Sequence, residues 1–223
     1  MAKRPYFSIG KYRNSLYEEK TGVFKYSSGF AISQKKKNIR ALHESILEEL
    51  PYAKILEVST KSDDPLGVAL SAFNLTWSIN GRSFPVECIF QGCKVFSEGG
   101  PYKDIIFKTP LEAKRDSRLK ESGNLVNFKF KDQIWPLTPT TGFYDFIYIQ
   151  ALKTHKNLCS EVLSYDTFTD IEFNPLKSIN CQARSVAMFV TLSKFGLLDE
   201  VTQSQEKFLN LYKAQTEGEG LLF

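Results

Sequence analysis

The chain has little histidine: His43 and His155 are the only two in 223 residues. A His-rich zinc site, or a carboxylate–histidine cluster of the metalloprotease kind, has no material to form from. A Ser–His–Asp triad would need one of the two, and no G-x-S-x-G elbow accompanies either. Cysteine is also sparse. Cys88, Cys93, Cys159 and Cys181 form no C-x-x-C pair, so reduced, largely buried thiols are expected rather than a redox motif or a disulfide framework. Neither G-x-x-x-x-G-K-[ST] nor G-x-G-x-x-G occurs, which leaves P-loop and Rossmann readings unsupported. Long apolar runs are missing, and no signal peptide is recognisable; the expectation is a soluble, cytoplasmic protein with no membrane partner. Excess charge of one sign is small, +4 at pH 7. That balance permits a polyanionic partner without demanding one. Acid–base work, if this is an enzyme, falls to carboxylates, Lys, Tyr or Asn/Gln.

What the chain does have is apolar and aromatic substance: 42% hydrophobic residues and 18 Phe with 10 Tyr. This is a globular composition, and the length suits one sizeable domain. "GVFKYSSGFAIS" alternates loosely and predicts short strands. "SQKKKNIRALHESILEEL" (Ser33 to Leu50) predicts an amphipathic helix with Ile39, Leu42, Ile46 and Leu50 on one face and Ser33 as N-cap. "AKILEVST" reads as a strand and "KSDDPLG" as a loop. Asn80-Gly81 in "VALSAFNLTWSINGRSF" is the strongest hairpin signal, set between extended runs. "TPLEAKRDSRLK" predicts a short charged helix, and "NLVNFKFKDQIWPL" a second hairpin. A long helix follows Thr138–Thr141 with Phe143, Phe146, Ile147 and Ala151 buried. "FTDIEFNP" reads as extended. "NCQARSVAMFVTLSKFG" is a further buried helix ended by Gly196, and "TQSQEKFLNLYKAQ" a weak last helix before the tail "TEGEGLLF". No repeat is present. One α+β domain is the expected class, helices packed with short strands and hairpins.

One segment raises a question of chemistry. "VECIFQGCK" (Val86 to Lys94) follows a hairpin and Pro85, so it is expected to begin a helix. On that helix Glu87, Gln91 and Lys94 fall within roughly 60° of one another. Such a stripe is either a solvated face or the floor of a site.

The surrounding segments favour the second. "VECIFQGCKVF" resembles the motif of the NADAR (YbiA-like) family, approximately S-E-H-Y-F-Q-A-Q-K-F, with Glu87, Phe90, Gln91, Lys94 and Phe96 at its characteristic positions. "LSAFN" (Leu70 to Asn74) looks like the family's "LSNF" element, with Ala72 where the family has Asn and Asn74 two residues later. "TPLEAKR" resembles its P-x-x-A-K helix. "EGGPYKD", "WPLTPTTGFYDFIYIQAL" and "YDTFTDIEFNPLKSINCQARS" resemble one branch, the antitoxin partners of DarT-type DNA ADP-ribosyltransferase toxins. The resemblance covers Leu70 to Leu198. It implies a catalytic core over 61–200, with strands and an amphipathic helix packed on it from 1–60 and a C-terminal helix and tail over 201–223.

The resemblance further implies an N-glycosidase that removes ADP-ribose from guanine in DNA. Its partners would be ADP-ribosylated DNA or ADP-ribose, and a cognate DarT-type toxin; no cofactor and no metal is expected. Two alternatives stay open. One is a glycosidase for a free phosphorylated nucleoside or riboflavin intermediate, and the other is a binding-only antitoxin acting by occlusion. Breaking an N-glycosidic bond builds positive charge at the anomeric carbon while the departing nitrogen needs a proton. Glu87 could stabilise that charge or handle protons, and a neutral Lys94 could attack the carbon. Glu87 itself opposes a neutral Lys94, so burial or the cations Lys103, Lys114 and Arg115 would have to offset it. Gln91 could bond a ribose hydroxyl or a diphosphate oxygen.

Asp170 and Glu172, expected to share one face of the extended "TDIEF", are further catalytic candidates. Asn74, Phe90 and Asn180 are candidates for ligand contact, Asn180 alternatively for helix capping. Gly99 and Gly100 offer a diphosphate cradle or a plain turn. Trp135 and Tyr144 could stack on a base or belong to the core. Asp145, set among apolar residues, is either a structural anchor or a general acid.

Overall fold

A computed structural model describes residues 1–29 and 31–217. Its main sheet begins with β1 (Ala2–Ile9) and β2 (Tyr17–Phe24), paired antiparallel from Ala2↔Phe24 to Ile9↔Tyr17. Period-2 alternation divides the side chains of β1 between two layers. Tyr6 points into a cluster with Phe24, Ile39, Leu42 and Ile46, whereas Phe7 joins the principal core. The first layer is covered by α1 (Ile32–Glu49), as its Ile39/Leu42/Ile46 spacing requires. The helix starts two residues earlier than expected: Ala31, not Ser33, is at the N-cap, and no side chain caps it. Leu42 reaches β2 at Gly22, where any β-carbon would lie 2.5 Å from its Cδ1. The glycine is therefore the condition for this close approach.

The sheet is completed in the order β2-β1-β9-β3 by β3 (Ile55–Glu57) and β9 (Thr167–Thr169). These two run parallel, with Leu56 opposite Phe168 and Glu57 opposite Thr169. Both strands are shorter than the sequence suggests. In particular "FTDIEFNP" is not extended beyond Thr169: the chain turns at Asp170, whose carboxylate accepts from the backbone N–H groups of Glu172 and Phe173.

Between β3 and β9 in the chain lies most of the remainder of the domain. The "VAL" start of the expected hairpin region is instead part of α2 (Pro65–Ala69), capped by Asp64. The hairpin itself is β4 (Thr76–Ile79) with β5 (Arg82–Pro85). Asn80 and Gly81 both have positive φ, 52° and 75°, as the tightest hairpin turn demands. It leads into α3 (Val86–Gly92). A three-stranded sheet of β6 (Lys94–Phe96), β7 (Leu125–Phe130) and β8 (Gln133–Trp135) follows. "TPLEAKRDSRLK" forms two helices rather than one, α4 (Pro110–Arg115) and α5 (Arg118–Glu121). The break is at Asp116, whose carboxylate takes up Lys108 and Arg118.

The core is built on α6 (Gly142–Lys153) and α8 (Gln182–Lys194), each buried along almost its whole length. A helix apolar nearly all round belongs in an interior. Two short helices, α7 (Lys156–Val162) and α9 (Leu198–Val201), flank them, and α10 (Gln205–Glu217) packs Phe208 and Leu211 into the same core. The expected tail lies, past Glu217, outside the described residues. Among the described residues no helix is long and apolar enough to cross a membrane.

Candidate active site

The stripe expected on one helix is divided between two elements. α3 ends at Gly92, and Lys94 opens β6, paired with Phe128 of β7. A register contact with a strand 34 positions away in sequence has overridden the local 3.6 period. Glu87, Phe90 and Gln91 remain on α3, all buried. The start of that helix is fixed by the preceding loop: Glu87 N–H donates to the Ala72 carbonyl and Val86 N–H to that of Leu75, each at 2.9 Å. Gln182 of α8 locks the same loop, accepting from Ala72 N–H at 2.7 Å and donating to the Val58 carbonyl at 2.6 Å.

Despite the break, Lys94 returns to its α3 neighbours. Its Nζ stands 4.8 Å from the centre of the Phe90 ring, and among the described residues it has no ion pair. Burial holds its ammonium below the usual lysine range; Glu87 works against that shift and Lys114 with it. The offset that a neutral lysine beside Glu87 requires is thus supplied by burial first and by Lys114 of α4 second. Lys114 itself is set over the Phe73 ring, 5.7 Å from Nζ to centroid.

Gln91 donates from Nε2 to Glu87 Oε1 at 2.9 Å, while its own Oε1 is buried and has no partner among the described residues. The free atom is an acceptor. It suits a ribose hydroxyl and not a diphosphate oxygen, which also accepts.

Tyr144 of α6 connects this group to Asp170. Its ring meets Phe90 edge-on at 5.2 Å. Burial raises its phenol well above the ordinary range, with Glu87, Tyr148 and Asp170 adding. Asp170 is likewise buried, and burial pushes its carboxyl well up; Glu57 adds to the rise, and backbone hydrogen bonds from Glu172 and Phe173 oppose it. Those bonds both go to Oδ1, and among the described residues Oδ2 makes none. Glu87 and Gln91 thus share α3 with Phe90, Lys94 and Tyr144 both meet the Phe90 ring, and Asp170 adds to the rise of the Tyr144 phenol.

Other candidates are placed elsewhere. Glu172 does not share a face with Asp170: it points outward and pairs with Lys35 of α1 at 3.0 Å. Trp135 is fully buried, its ring 4.5 Å from Phe146 and 5.5 Å from Phe143, so it is a core residue and not a stacking platform. Asp145 is saturated, accepting from Arg184, Ser185 and Tyr212; it is an anchor between α6, α8 and α10. Asn74 is exposed and closes its own turn by donating to the Val68 carbonyl. Asn180 does not cap α8, where Cys181 holds the N-cap position, and its Oδ1 is buried with no partner among the described residues. Two surface grooves, one including Pro136, Leu209 and Tyr212 and the other Lys108, Leu111 and Arg115, are lined by none of Glu87, Lys94, Tyr144 or Asp170.

Gly99 and Gly100 form a tight turn behind Lys94. Gly100 has φ +85°, and a β-carbon there would be 2.4 Å from the Lys94 carbonyl oxygen. Gly100→Ala is therefore expected to lower the melting temperature by about 2–8 °C, from roughly 1–2 kcal/mol of left-handed backbone strain. A thermal scan with an unchanged midpoint would show that the turn relaxes freely.

Sequence reasoning overlooked Glu57, which is buried opposite Thr169. The signal was available: a lone carboxylate inside the apolar run "ILEV" must find partners when buried.

A family model described as the DarT1-associated NADAR antitoxin matches residues 2–220, and so takes in the N-terminal strands and α1 as well as the segment that carries the motifs. No curated protein matches the chain.

Proposed function

The chain belongs to the DarT1-associated NADAR antitoxin family, and from that premise we propose that it is an N-glycosidase which removes ADP-ribose from guanine bases in DNA. What supports this reading is the placement of Lys94 and Tyr144 on the Phe90 ring beside Glu87, together with the buried Asp170 carboxyl that acts on Tyr144. Lys94, its amine depressed by burial, attacks the anomeric carbon as the bond to the guanine amino nitrogen breaks. Asp170, held protonated, gives its proton to that nitrogen, and guanine leaves as a neutral base. Glu87 stabilises the positive charge at the sugar and takes the proton released by Lys94. The adduct opens to a Schiff base, and water hydrolyses it to ADP-ribose and the free amine. One proton returns from Glu87 to Asp170 through solvent, so the net change is addition of one water across the glycosidic bond. Gln91 orients Glu87 through Nε2 and accepts a ribose hydroxyl at Oε1.

The test is release of ADP-ribose from a guanine-modified single-stranded oligonucleotide by the purified, folded protein. Turnover that requires the oligonucleotide is expected. Equal turnover of a small phosphorylated nucleoside would move the substrate to that class. Toxin neutralisation with no release from DNA would replace catalysis by occlusion.

A further inference from the structure

Glu57 plays no part in the chemistry above, yet it is among the most completely buried carboxylates of the molecule. Its two oxygens are spent on the residues on either side of Asp170. Thr169 Oγ1 donates to Oε2 at 2.6 Å, and Ile171 N–H donates to Oε1 at 2.9 Å. Thr169 is in turn held from α1, where His43 Nε2 lies 2.8 Å from its Oγ1. Because the Thr169 hydroxyl proton goes to Glu57, the same oxygen accepts from His43, which must carry its proton on Nε2. Burial pushes the imidazole down to about 4, so this ring is neutral at physiological pH and adds no charge to the network. The result is a relay, His43 to Thr169 to Glu57, that grips the β9 end at the point where the chain turns into Asp170.

Burial raises both the Glu57 and the Asp170 carboxyls, and Glu57 adds to the rise of Asp170. Glu57 has a donor on each oxygen, Thr169 Oγ1 on Oε2 and Ile171 N–H on Oε1. Asp170 has two backbone donors on one oxygen. Two carboxylates in one buried space do not both ionise readily. The other groups facing Asp170 are Glu172 in its own turn, Cys181 at the start of α8, and Tyr144 and Tyr148 on α6. Among them Glu172 is compensated by Lys35, and burial keeps the thiol and both phenols protonated. The partners of Glu57, Thr169 and Ile171, carry no charge.

We propose that Glu57 is a positioning residue for Asp170: through Thr169 Oγ1 on one side and Ile171 N–H on the other it fixes the turn that carries the Asp170 carboxyl. This rests on the reading of Asp170 as the proton donor.

The experiment compares wild type with Glu57→Gln and Asp170→Asn on the modified oligonucleotide across pH. Glu57→Gln keeps the shape and one acceptor oxygen but removes the charge. Its turnover is expected to fall roughly 10–100-fold, the usual cost when an orienting outer partner is removed. The alkaline limb of its rate profile is expected to move to lower pH, because Asp170 then ionises more easily. Asp170→Asn is expected to lose the limb together with the rate. A Glu57→Gln profile superimposable on wild type would overturn the proposal. Carbon NMR titration of the aspartate carboxyls supplies a readout independent of turnover. A lower Asp170 midpoint in Glu57→Gln supports the coupling even if no oligonucleotide is hydrolysed, and an unmoved midpoint sinks it. Should Glu57→Gln fail to fold, Thr169→Val removes the donor on which Glu57 rests and is expected to reduce kcat with KM unchanged; an unaltered kcat would count equally against the proposal.

Discussion

Lys94→Ala is expected to slow ADP-ribose release by about 10⁴-fold or more, the scale on which one member of an interdependent catalytic set is missed. The side chain has no ion pair among the described residues, and its contact is with the Phe90 ring. Its removal leaves no opposite charge stranded in a salt bridge, so thermal unfolding is expected to change little. Lys94→Arg is the sharper variant. A guanidinium retains positive charge and stays protonated at every accessible pH, so it is expected to be as inactive as alanine. Treatment with borohydride during turnover is expected to fix ADP-ribose covalently to the wild-type chain at Lys94 and to neither variant. The pH profile follows from two opposite requirements. Below its depressed transition Lys94 is charged and cannot attack, so the rate rises with pH; above the raised transition of Asp170 the donor is gone, so the rate falls. A bell-shaped profile is the expected outcome. Full turnover by Lys94→Ala would remove the lysine from the chemistry and leave Glu87 and Asp170 to activate water directly.

The second large effect concerns stability. Asp145→Ala is expected to cost about 3–5 kcal/mol, the penalty for breaking a buried ion pair and leaving one charge uncompensated. Asp145 is fully buried, and its oxygens accept from Arg184 Nη2 at 3.1 and 3.2 Å, Ser185 Oγ at 2.5 Å and Tyr212 Oη at 2.7 Å. Alanine would strand the Arg184 guanidinium, which is itself nearly buried, and would loosen three helices from one another. Asp145→Asn keeps an acceptor for Ser185 or Tyr212 and is expected to lose less. Urea unfolding measures both. The folded fraction of Asp145→Asn is expected to release ADP-ribose at close to the wild-type rate, since Asp145 anchors helices and donates no proton. A folded but inactive variant would return it to the role of general acid.

Much of this architecture was legible without coordinates, wherever the cause of a structure lies within a few residues. The Ile39/Leu42/Ile46 face of α1 and the buried faces of α6 and α8 follow from helical periodicity. Asn80-Gly81 specifies its hairpin because both positions need positive φ. Gly196 ends α8 with φ +67° for the same local reason. The elements that departed from expectation are those whose conformation depends on a distant partner. Lys94 leaves its helix because β7 offers it a strand to pair with. The chain at Asp170 turns because the carboxylate can take two backbone N–H groups of its own loop, which period-2 reasoning does not weigh.

The sequence by itself determined the α+β class, the core helices and the identity of Glu87, Gln91 and Lys94 as a group belonging together, since residue type and short spacing carry that information. Only the tertiary structure told the remaining acidic candidates apart. Asp170, Asp145 and Glu172 are equally acidic as letters, but one is buried with a free oxygen, one is saturated by three partners, and one is paired at the surface. Glu57 meets Thr169 across 112 positions of chain. A carboxyl group's protonation and reach are set by desolvation and by neighbours brought from far away in sequence, and these exist only once the parallel β3–β9 pairing has formed.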